Sequence, residues 1–222
     1  MRTVGKRLKL AVLISGRGSN LQALIDACAE ADFPAEIALV LSNTADAKGL
    51  DRAQHAGIPG QVIDHKDFPD RAVFDRAMTS AIEAVGADLI CLAGFMRLLS
   101  DEFVDHWRDR LINVHPSLLP AFKGLNVQER LLAVGARFAG CTVHYVRPKM
   151  DTGPIIIQAA VPVHADDTPD GLAARVLEHE HRIYPQAVRW IAEGRVRVDD
   201  NDRAVIDGAT HTGAALINPD LG

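Results

Sequence analysis

The chain has 222 residues, of which 48% are hydrophobic and 24% charged, and its formal net charge at pH 7 is -5. These values suit one globular domain with a full hydrophobic core and argue against extensive disorder. The basic residues are scattered along the chain, so the composition indicates neither a nucleic-acid partner nor an anionic membrane surface.

Targeting and cysteine usage both favour a cytoplasmic protein. No apolar run approaches the length of a membrane span, and the first ten residues lack the pattern of a secretory signal. The three cysteines, Cys28, Cys91 and Cys141, are too few and too far apart for a disulfide framework or a cysteine-based zinc site. They are predicted to be buried small hydrophobic residues.

Short β-branched or Leu-rich runs alternate with helical patterns, as is typical of βαβ units around a parallel sheet. The predicted strands cover 8–15, 36–42, 61–63, 88–92, 111–114, 140–146 and 155–161. The predicted helices cover 19–31, 46–56, 70–85, 101–108, 126–134 and 169–193. The fold class is therefore α/β. We assign residues 1–198 to one domain and residues 199–222 to a C-terminal tail, which should form a short hairpin or be loosely held.

The turn after the first strand reads Ser15-Gly16-Arg17-Gly18-Ser19-Asn20 and opens a helix. Its glycines allow close approach of the backbone to a ligand, and the helix start favours an anion. A dinucleotide fingerprint would need a third glycine at Leu21, and a triphosphate loop would need a Gly-Lys-Ser/Thr sequence. Two interpretations remain: a monophosphate pocket with Ser19 and Asn20 as ligands, or a plain tight turn.

Asn113 and His115 lie two residues apart at the end of an apolar strand, and residues with this spacing point to the same face. The amide and the imidazole can therefore converge on one reacting atom. Pro116 restricts the conformation of His115, because the residue before a proline is held extended. For Asn-x-His alone, a hydrogen-bonded core histidine beside a turn is the commoner explanation.

Asp151 lies on a loop that contains glycine and proline, at the edge of a strand, where site residues are often displayed. If the loop folds toward His115, the carboxylate can orient the ring and favour its protonated form. With Asn113, this trio suits a reaction in which negative charge grows on a carbonyl oxygen. The alternatives are a simple turn role for Asp151, or a zinc triad of His115, His144 and Asp151.

Glu180 falls in the middle of the apolar stripe of the last long helix, and a carboxylate on that face needs a partner. The partner of this carboxylate would be either a cation in an internal ion pair or an amine or hydroxyl of a ligand. The neighbouring Glu178-His179-Glu180-His181 tract is not a metal site, because residues two apart diverge on a helix.

Four motifs in this order resemble the folate-dependent formyltransferases, and among them those acting on glycinamide ribonucleotide. The matching segments are 14–20 (ISGRGSN), 92–97 (LAGFMR), 113–120 (NVHPSLLP) and 151–155 (DTGPI). The resemblance runs from about Leu8 to the end of the last long helix. It implies a single-domain Rossmann-like fold, with a mostly parallel twisted sheet and helices on both faces.

The resemblance also implies the chemistry. Asn113, His115 and Asp151 would be the catalytic residues, with 10-formyltetrahydrofolate as co-substrate and no metal. The product would be formylglycinamide ribonucleotide of de novo purine biosynthesis. The ribonucleotide would be bound by residues of the glycine turn and the last helix, namely Gly18, Ser19, Asn20 and Glu180.

The folate would contact residues from several segments, with Arg71 facing its glutamate tail and the loop from Arg147 to Asp151 contributing through its backbone. This set is Arg71, Met96, Arg97, Leu98, Leu99, Asn113, Arg147, Met150 and Asp151. The family usually carries histidines where this chain has Asn126 and Gln128. These two residues can form hydrogen bonds but do not titrate near neutrality.

Three alternatives within reach of this sequence differ in their expected additional features. A formyltetrahydrofolate deformylase normally has an extra N-terminal domain, whereas only about seven residues precede the first strand here. A methionyl-tRNA formyltransferase carries a C-terminal domain and a basic surface. A non-catalytic nucleotide-binding module would leave Asn113, His115 and Asp151 unexplained. The favoured prediction is an enzyme of small-molecule substrates, as a monomer or a homodimer.

Overall fold

A seven-stranded sheet forms the centre of the molecule in the computed structural model, which describes residues 7–210, 213 and 215–219. Its strands are β1 (Leu8–Ile14), β2 (Ala35–Ser42), β3 (Gly60–Val62), β4 (Leu89–Leu92), β5 (Leu111–His115), β6 (Phe138–Tyr145) and β7 (Ile155–Pro162). A separate two-stranded hairpin consists of β8 (Val196–Val198) and β9 (Ala204–Ile206).

The helices alternate with the strands as the sequence pattern predicts. They are α1 (Ser19–Ala29), α2 (Gly49–His55), α3 (Arg71–Ala84), α4 (Asp101–His106), α5 (Val127–Ala133) and α6 (Pro169–Ala192), with a 3-10 turn at His65–Asp67. All seven predicted strands and all six predicted helices are confirmed, with small differences at their ends. The 3-10 turn was not predicted.

The sheet order is β3-β2-β1-β4-β5-β6-β7. Neighbours from β3 to β5 are parallel, whereas β6 pairs antiparallel with both β5 and β7. The short loop between β6 and β7, residues 146–154, explains the antiparallel pairing of these two strands, because a parallel return needs a crossover of about a dozen residues or more. The predicted mostly parallel sheet is confirmed.

Each face of the sheet has its own hydrophobic core. The α1/α6 core contains Val12 of β1 with Leu24 and Val188 of the helices, among others. The α3/α4 core contains Leu13 of β1 with Met78 and others. Alternate residues of the same strand thus enter opposite cores, which follows from the two-residue period of a strand.

The C-terminal segment lies partly outside the described residues, which omit 211, 212, 214 and 220–222. The hairpin of β8 and β9 spans the assigned boundary at residue 198, and the division into domain and tail stays a prediction. Within the described part of the chain, no helix combines the length and the apolar character that crossing a bilayer requires.

Candidate active site

Strand β5 presents Asn113 and His115 on the α3/α4 face of the sheet. Ile112 and Val114 are buried in the opposite, α1/α6 core, as the alternation predicts. In the antiparallel register with β6, Asn113 lies opposite His144, and His115 lies opposite Thr142. Two neighbouring strands therefore supply four polar side chains to one face.

His144 is a site residue that the sequence suggests only as a zinc ligand. Its Nδ1 donates to the carbonyl of Tyr145 at 2.8 Å, so its Nε2 is an acceptor in the neutral ring. Nδ2 of Asn113 lies 3.4 Å from this Nε2 and donates to it. Burial lowers the pKa of His144, which keeps the ring neutral and fixes the orientation of the Asn113 amide.

Asp151 reaches both histidines. Its Oδ2 accepts from the backbone N–H of Gly124 at 2.8 Å and lies 3.7 Å from Nδ1 of His115. Its Oδ1 lies 3.9 Å from Nε2 of His144. The carboxylate is 9% exposed, so its charge acts on the rings through little solvent. The loop thus folds toward His115, on which the predicted trio depends.

The second ring nitrogen of His115 also faces an acceptor. Its Nε2 lies 3.1 Å from the carbonyl oxygen of Phe122. In the protonated ring, Nε2 donates to this carbonyl while Nδ1 points at the Asp151 carboxylate. The surroundings of His115 are therefore complementary to an imidazolium.

Gly153 allows the loop that carries Asp151 to pass close to the backbone at the end of β6. A Cβ added to Gly153 would lie 1.8 Å from the carbonyl oxygen of Tyr145, which no side chain tolerates. The backbone N–H of Tyr145 donates to the carbonyl of Pro154 at 2.9 Å. This close approach lets Asp151, itself at a φ of 52°, reach the two histidines.

The glycine turn after β1 packs against the start of α2. Gly18 has a φ of 69°, and a Cβ at this position would lie 2.7 Å from Cα of Gly49. Both conformation and space therefore require glycine here. The first-turn N–H groups of α1 begin at this point, and such groups have no carbonyl partner within their helix.

Asn20 and Glu180 meet, although they lie 160 positions apart in sequence. Nδ2 of Asn20 donates to Oε2 of Glu180 at 2.7 Å, so the partner of this carboxylate is an amide and not a cation. Burial raises the pKa of Glu180. Oδ1 of Asn20 is buried without a partner among the described residues. A donor supplied by a ligand would satisfy it.

The residues expected to contact folate lie on three exposed segments. Met96 and Leu98 follow β4 and are 68% and 60% exposed, and Met150 precedes Asp151 and is 53% exposed. Arg97 is exposed on the same loop as Met96, and Leu99 packs against the α3/α4 core. Arg71 is exposed at the first residue of α3.

The side chain of Arg147 is engaged within the protein. It is 7% exposed, and its Nη2 lies 2.7 Å from Asp109 and 2.6 Å from Asp202. A contact from Arg147 to a ligand would thus come from its backbone. Neither Asn126 nor Gln128 forms a hydrogen bond with the trio: Asn126 precedes α5 at a φ of 53°, and Gln128 donates weakly to the carbonyl of Pro116 at 3.5 Å.

Two other expectations concern metals and thiols. In the described ranges, no group of three or more His, Cys, Asp or Glu side chains is arranged to hold a metal ion. Cys91 and Cys141 are buried as predicted, whereas Cys28 is only half-buried. Desolvation raises the pKa of Cys28 to about 11 and that of Cys141 to about 12, so neither thiol is a nucleophile near neutrality.

Comparison with known proteins gives a consistent result. Residues 8–188 match the family model described as formyl transferase. The chain is 45% identical over 201 residues to the phosphoribosylglycinamide formyltransferase of Escherichia coli K12, covering 90% of this chain and 94% of that protein. It is 50% identical over 198 residues to the trifunctional purine biosynthetic protein adenosine-3 of Bos taurus, covering 89% of this chain. It spans only 20% of that relative's length.

A solved structure agrees with the fold described above. The crystal structure of glycinamide ribonucleotide transformylase 1 from Symbiobacterium toebii superimposes with a TM-score of 0.88 at 48% sequence identity. The match covers 91% of this chain and 95% of the other.

Proposed function

Because the chain belongs to the formyl transferase family, we infer that it transfers the formyl group of 10-formyltetrahydrofolate to the amine of glycinamide ribonucleotide. The products are formylglycinamide ribonucleotide and tetrahydrofolate, a step of de novo purine biosynthesis. The observation that carries this inference is the convergence of Asn113, His115 and Asp151 beside β4, in a chain that covers 94% of a relative named for this reaction.

The sheet order explains how two substrates can meet. Strand β4 lies between β1, which precedes the glycine turn, and β5, which carries Asn113 and His115. The loop after β4 therefore lies between the proposed phosphate site and the proposed catalytic residues. Ligands of open α/β sheets bind outside the carboxyl ends of the strands.

We assign the steps of transfer as follows. The neutral amine of the ribonucleotide attacks the formyl carbon, and the carbonyl electrons move onto oxygen to give a tetrahedral oxyanion. The second Nδ2 hydrogen of Asn113, which His144 does not accept, donates to this oxygen. Nε2–H of His115 exchanges the Phe122 carbonyl for the same oxygen, so that the imidazolium charge stabilises it.

Collapse of the intermediate breaks the bond to the folate nitrogen. The proton lost by the attacking amine is the proton that the leaving nitrogen must gain, so the reaction needs no external acid. Asp151 relays this proton through water, with its negative charge beside the His115 ring.

The glycine turn and α6 bind the ribonucleotide in this proposal. The first-turn N–H groups after Gly18, with the Ser19 side chain, bind the phosphate. Asn20 Oδ1 accepts from a hydroxyl or amine of the substrate, and Glu180 accepts a second hydrogen bond. This assignment gives the buried, unpaired oxygen of Asn20 a partner.

The exposed methionine and leucine side chains near β4 and Asp151 bind the apolar rings of the folate, and Arg71 binds its glutamate tail. We further propose that the protein works in the cytoplasm, on small molecules and without a nucleic-acid partner. The net charge of -5 supports the latter.

One assay tests the proposed function. The protein is mixed with 10-formyltetrahydrofolate, with and without glycinamide ribonucleotide, and tetrahydrofolate release is followed. We expect release only with the ribonucleotide. Release at the same rate without it would identify a hydrolase that uses water as acceptor, and no release in either mixture would identify a binding protein. Either of these results would contradict the proposal.

A further inference from the structure

The ends of four neighbouring strands are joined by a row of hydrogen bonds that the proposed mechanism does not use. In sheet order, His65 follows β3, Asn43 follows β2, Ser15 follows β1, and Met96 follows β4. We call the side chains of His65, Asn43 and Ser15, with the backbone N–H of Met96, the edge relay. Each of its hydrogen bonds crosses one gap between strands.

Ser15 fixes the donors and acceptors at the centre of the edge relay. The N–H of Met96 donates to Oγ of Ser15 at 2.8 Å. Oγ then uses its own proton to donate to Oδ1 of Asn43 at 2.5 Å. This orients Nδ2 of Asn43 toward Nδ1 of His65, 3.3 Å away, and the same Nδ1 lies 3.2 Å from the backbone carbonyl of Asn43. Asn43 is 2% exposed, so a lost partner here leaves a buried polar group unsatisfied.

Ser15 holds the loop after β4 at a second point. Its backbone N–H donates to the carbonyl of Gly94 at 3.2 Å. The Met96 side chain beyond this point is 68% exposed and does not anchor the loop in the core. Ser15 therefore holds the backbone at Gly94 and Met96, on either side of Phe95, which packs against the α3/α4 core, and Ser15 is oriented by Asn43.

We propose that Ser15 and Asn43 are positioning residues for folate: through the edge relay they hold the Gly94–Met96 backbone in the conformation that binds the co-substrate. This inference rests on the proposed function, which assigns folate to that loop. The ribonucleotide is bound by other groups of the turn, so its binding should depend less on the relay.

The test uses Ser15→Ala and Asn43→Ala in the full chain. Tetrahydrofolate binding is measured by calorimetry, the KM of each substrate by steady-state kinetics, and exchange of the Met96 amide by NMR. We expect folate Kd and KM to rise about three- to tenfold, as for one net hydrogen bond, with the ribonucleotide KM changed less than about twofold. Exchange of the Met96 amide should accelerate.

Ser42→Ala is the matched control. Ser42 is fully buried at the same end of β2, but its Oγ donates to the carbonyl of Thr44 at 2.7 Å and takes no part in the relay. Its folate Kd should equal that of the wild type. If the buried Asn43 variant does not fold, the partly exposed Ser15 carries the test.

The proposal would be overturned if the folate Kd of Ser15→Ala stayed within about twofold of the wild-type value, whatever the amide exchange shows. Such a change is smaller than the loss of one hydrogen bond produces. An equal rise in both KM values would do the same, because it would indicate general damage to the edge. Failure of the proposed function is separate: an enzyme without transfer activity can still be tested by tetrahydrofolate binding and by Met96 exchange.

Discussion

Two histidines lie 3.7 Å and 3.9 Å from the same carboxylate, that of Asp151, and they differ in the groups that surround them. His144 is buried and donates from Nδ1 to a backbone carbonyl, so its other nitrogen can only accept, and it accepts from Asn113. His115 has acceptors on both sides, Phe122 and Asp151. One ring therefore orients an amide, and in our proposal the other donates a hydrogen bond to the oxyanion of the transferred group.

We expect Asn113→Ala and His115→Ala each to lower kcat about 100- to 1000-fold, the usual cost of losing one donor to an oxyanion. Asp151→Ala should lower kcat by about 100-fold or more, the usual contribution of a proton-transfer group. Steady-state kinetics with both substrates measures this, and thermal unfolding checks the fold. His106→Ala is the matched control, because His106 is an exposed histidine that pairs with Glu83 and lies outside the site. Turnover near the wild-type value in the His115 variant would refute its proposed role.

The sequence predicts those parts of the site that depend on local spacing. Asn113 and His115 share a face because they lie two apart on a strand, and no tertiary information is needed. The ion pairs of Arg147 with Asp109 and Asp202 could not be predicted, since these partners are 38 and 55 positions away in the sequence. The sequence does show that His144 and Thr142 lie two residues apart on an apolar strand and so share a face. Their proximity to Asn113 and His115 follows only from the pairing of β6 with β5, which the sequence does not reveal.

At the level of elements, the start of α6 is secured by a bidentate ion pair. Asp167 accepts from both terminal nitrogens of Arg175 at 2.7 Å and from the backbone N–H of His164 at 2.8 Å. Its carboxylate is 6% exposed. Chiefly because of the Arg175 hydrogen bonds, the pKa of Asp167 is lowered to about 2. The next residue, Thr168, caps the helix by accepting from the N–H of Gly171 at 3.1 Å.

We expect Asp167→Asn to lower the free energy of unfolding at pH 7 by about 1–3 kcal/mol, as for hydrogen bonds to a charged group. A depressed carboxyl pKa stabilises the fold above the unfolded pKa near 4, and this contribution is lost as pH falls toward 2. Denaturant titrations from pH 7 to pH 3 should therefore show the gap between variant and wild type shrinking below about pH 4.

Asp166→Asn serves as the control for this measurement, since Asp166 is an exposed neighbour on the same loop. It should change the stability by less than about 0.5 kcal/mol. A gap between Asp167→Asn and wild type that stays constant over the whole pH range would show that the ion pair contributes nothing.

Elements with a long and regular pattern are those that the sequence predicts well. The start of α6 is marked by Thr168-Pro169, and the structure begins this helix at Pro169. The start of α2 is shifted from 46 to Gly49, and Gly49 lies against Gly18, a contact between distant segments that periodicity does not predict. The direction of β6 and β7 also depends on tertiary pairing, and periodicity carries no information about it.

In the whole molecule, the sheet lies between the two cores, and its strands contribute different residues to each. Leu13 of β1 enters the α3/α4 core, while Val12 enters the α1/α6 core, so neither core can lose its strands without exposing the other. The buried hydroxyl of Tyr184 on α6 adds a link, since it donates to the carbonyl of Leu92 at 3.0 Å. This arrangement should make unfolding a single cooperative transition.

The two tryptophans of the chain lie on opposite faces and can report on the two cores separately. Trp107 is in the α3/α4 core, and Trp190 packs against the α1/α6 core. In Trp190→Phe and Trp107→Phe, each with one remaining tryptophan, we expect the fluorescence midpoint in denaturant to coincide with the circular dichroism midpoint of the same variant. Comparison within one variant removes the effect of the substitution on stability. A fluorescence transition that precedes the loss of helix in either variant would mean that one face unfolds first, and that the shared sheet does not couple the cores.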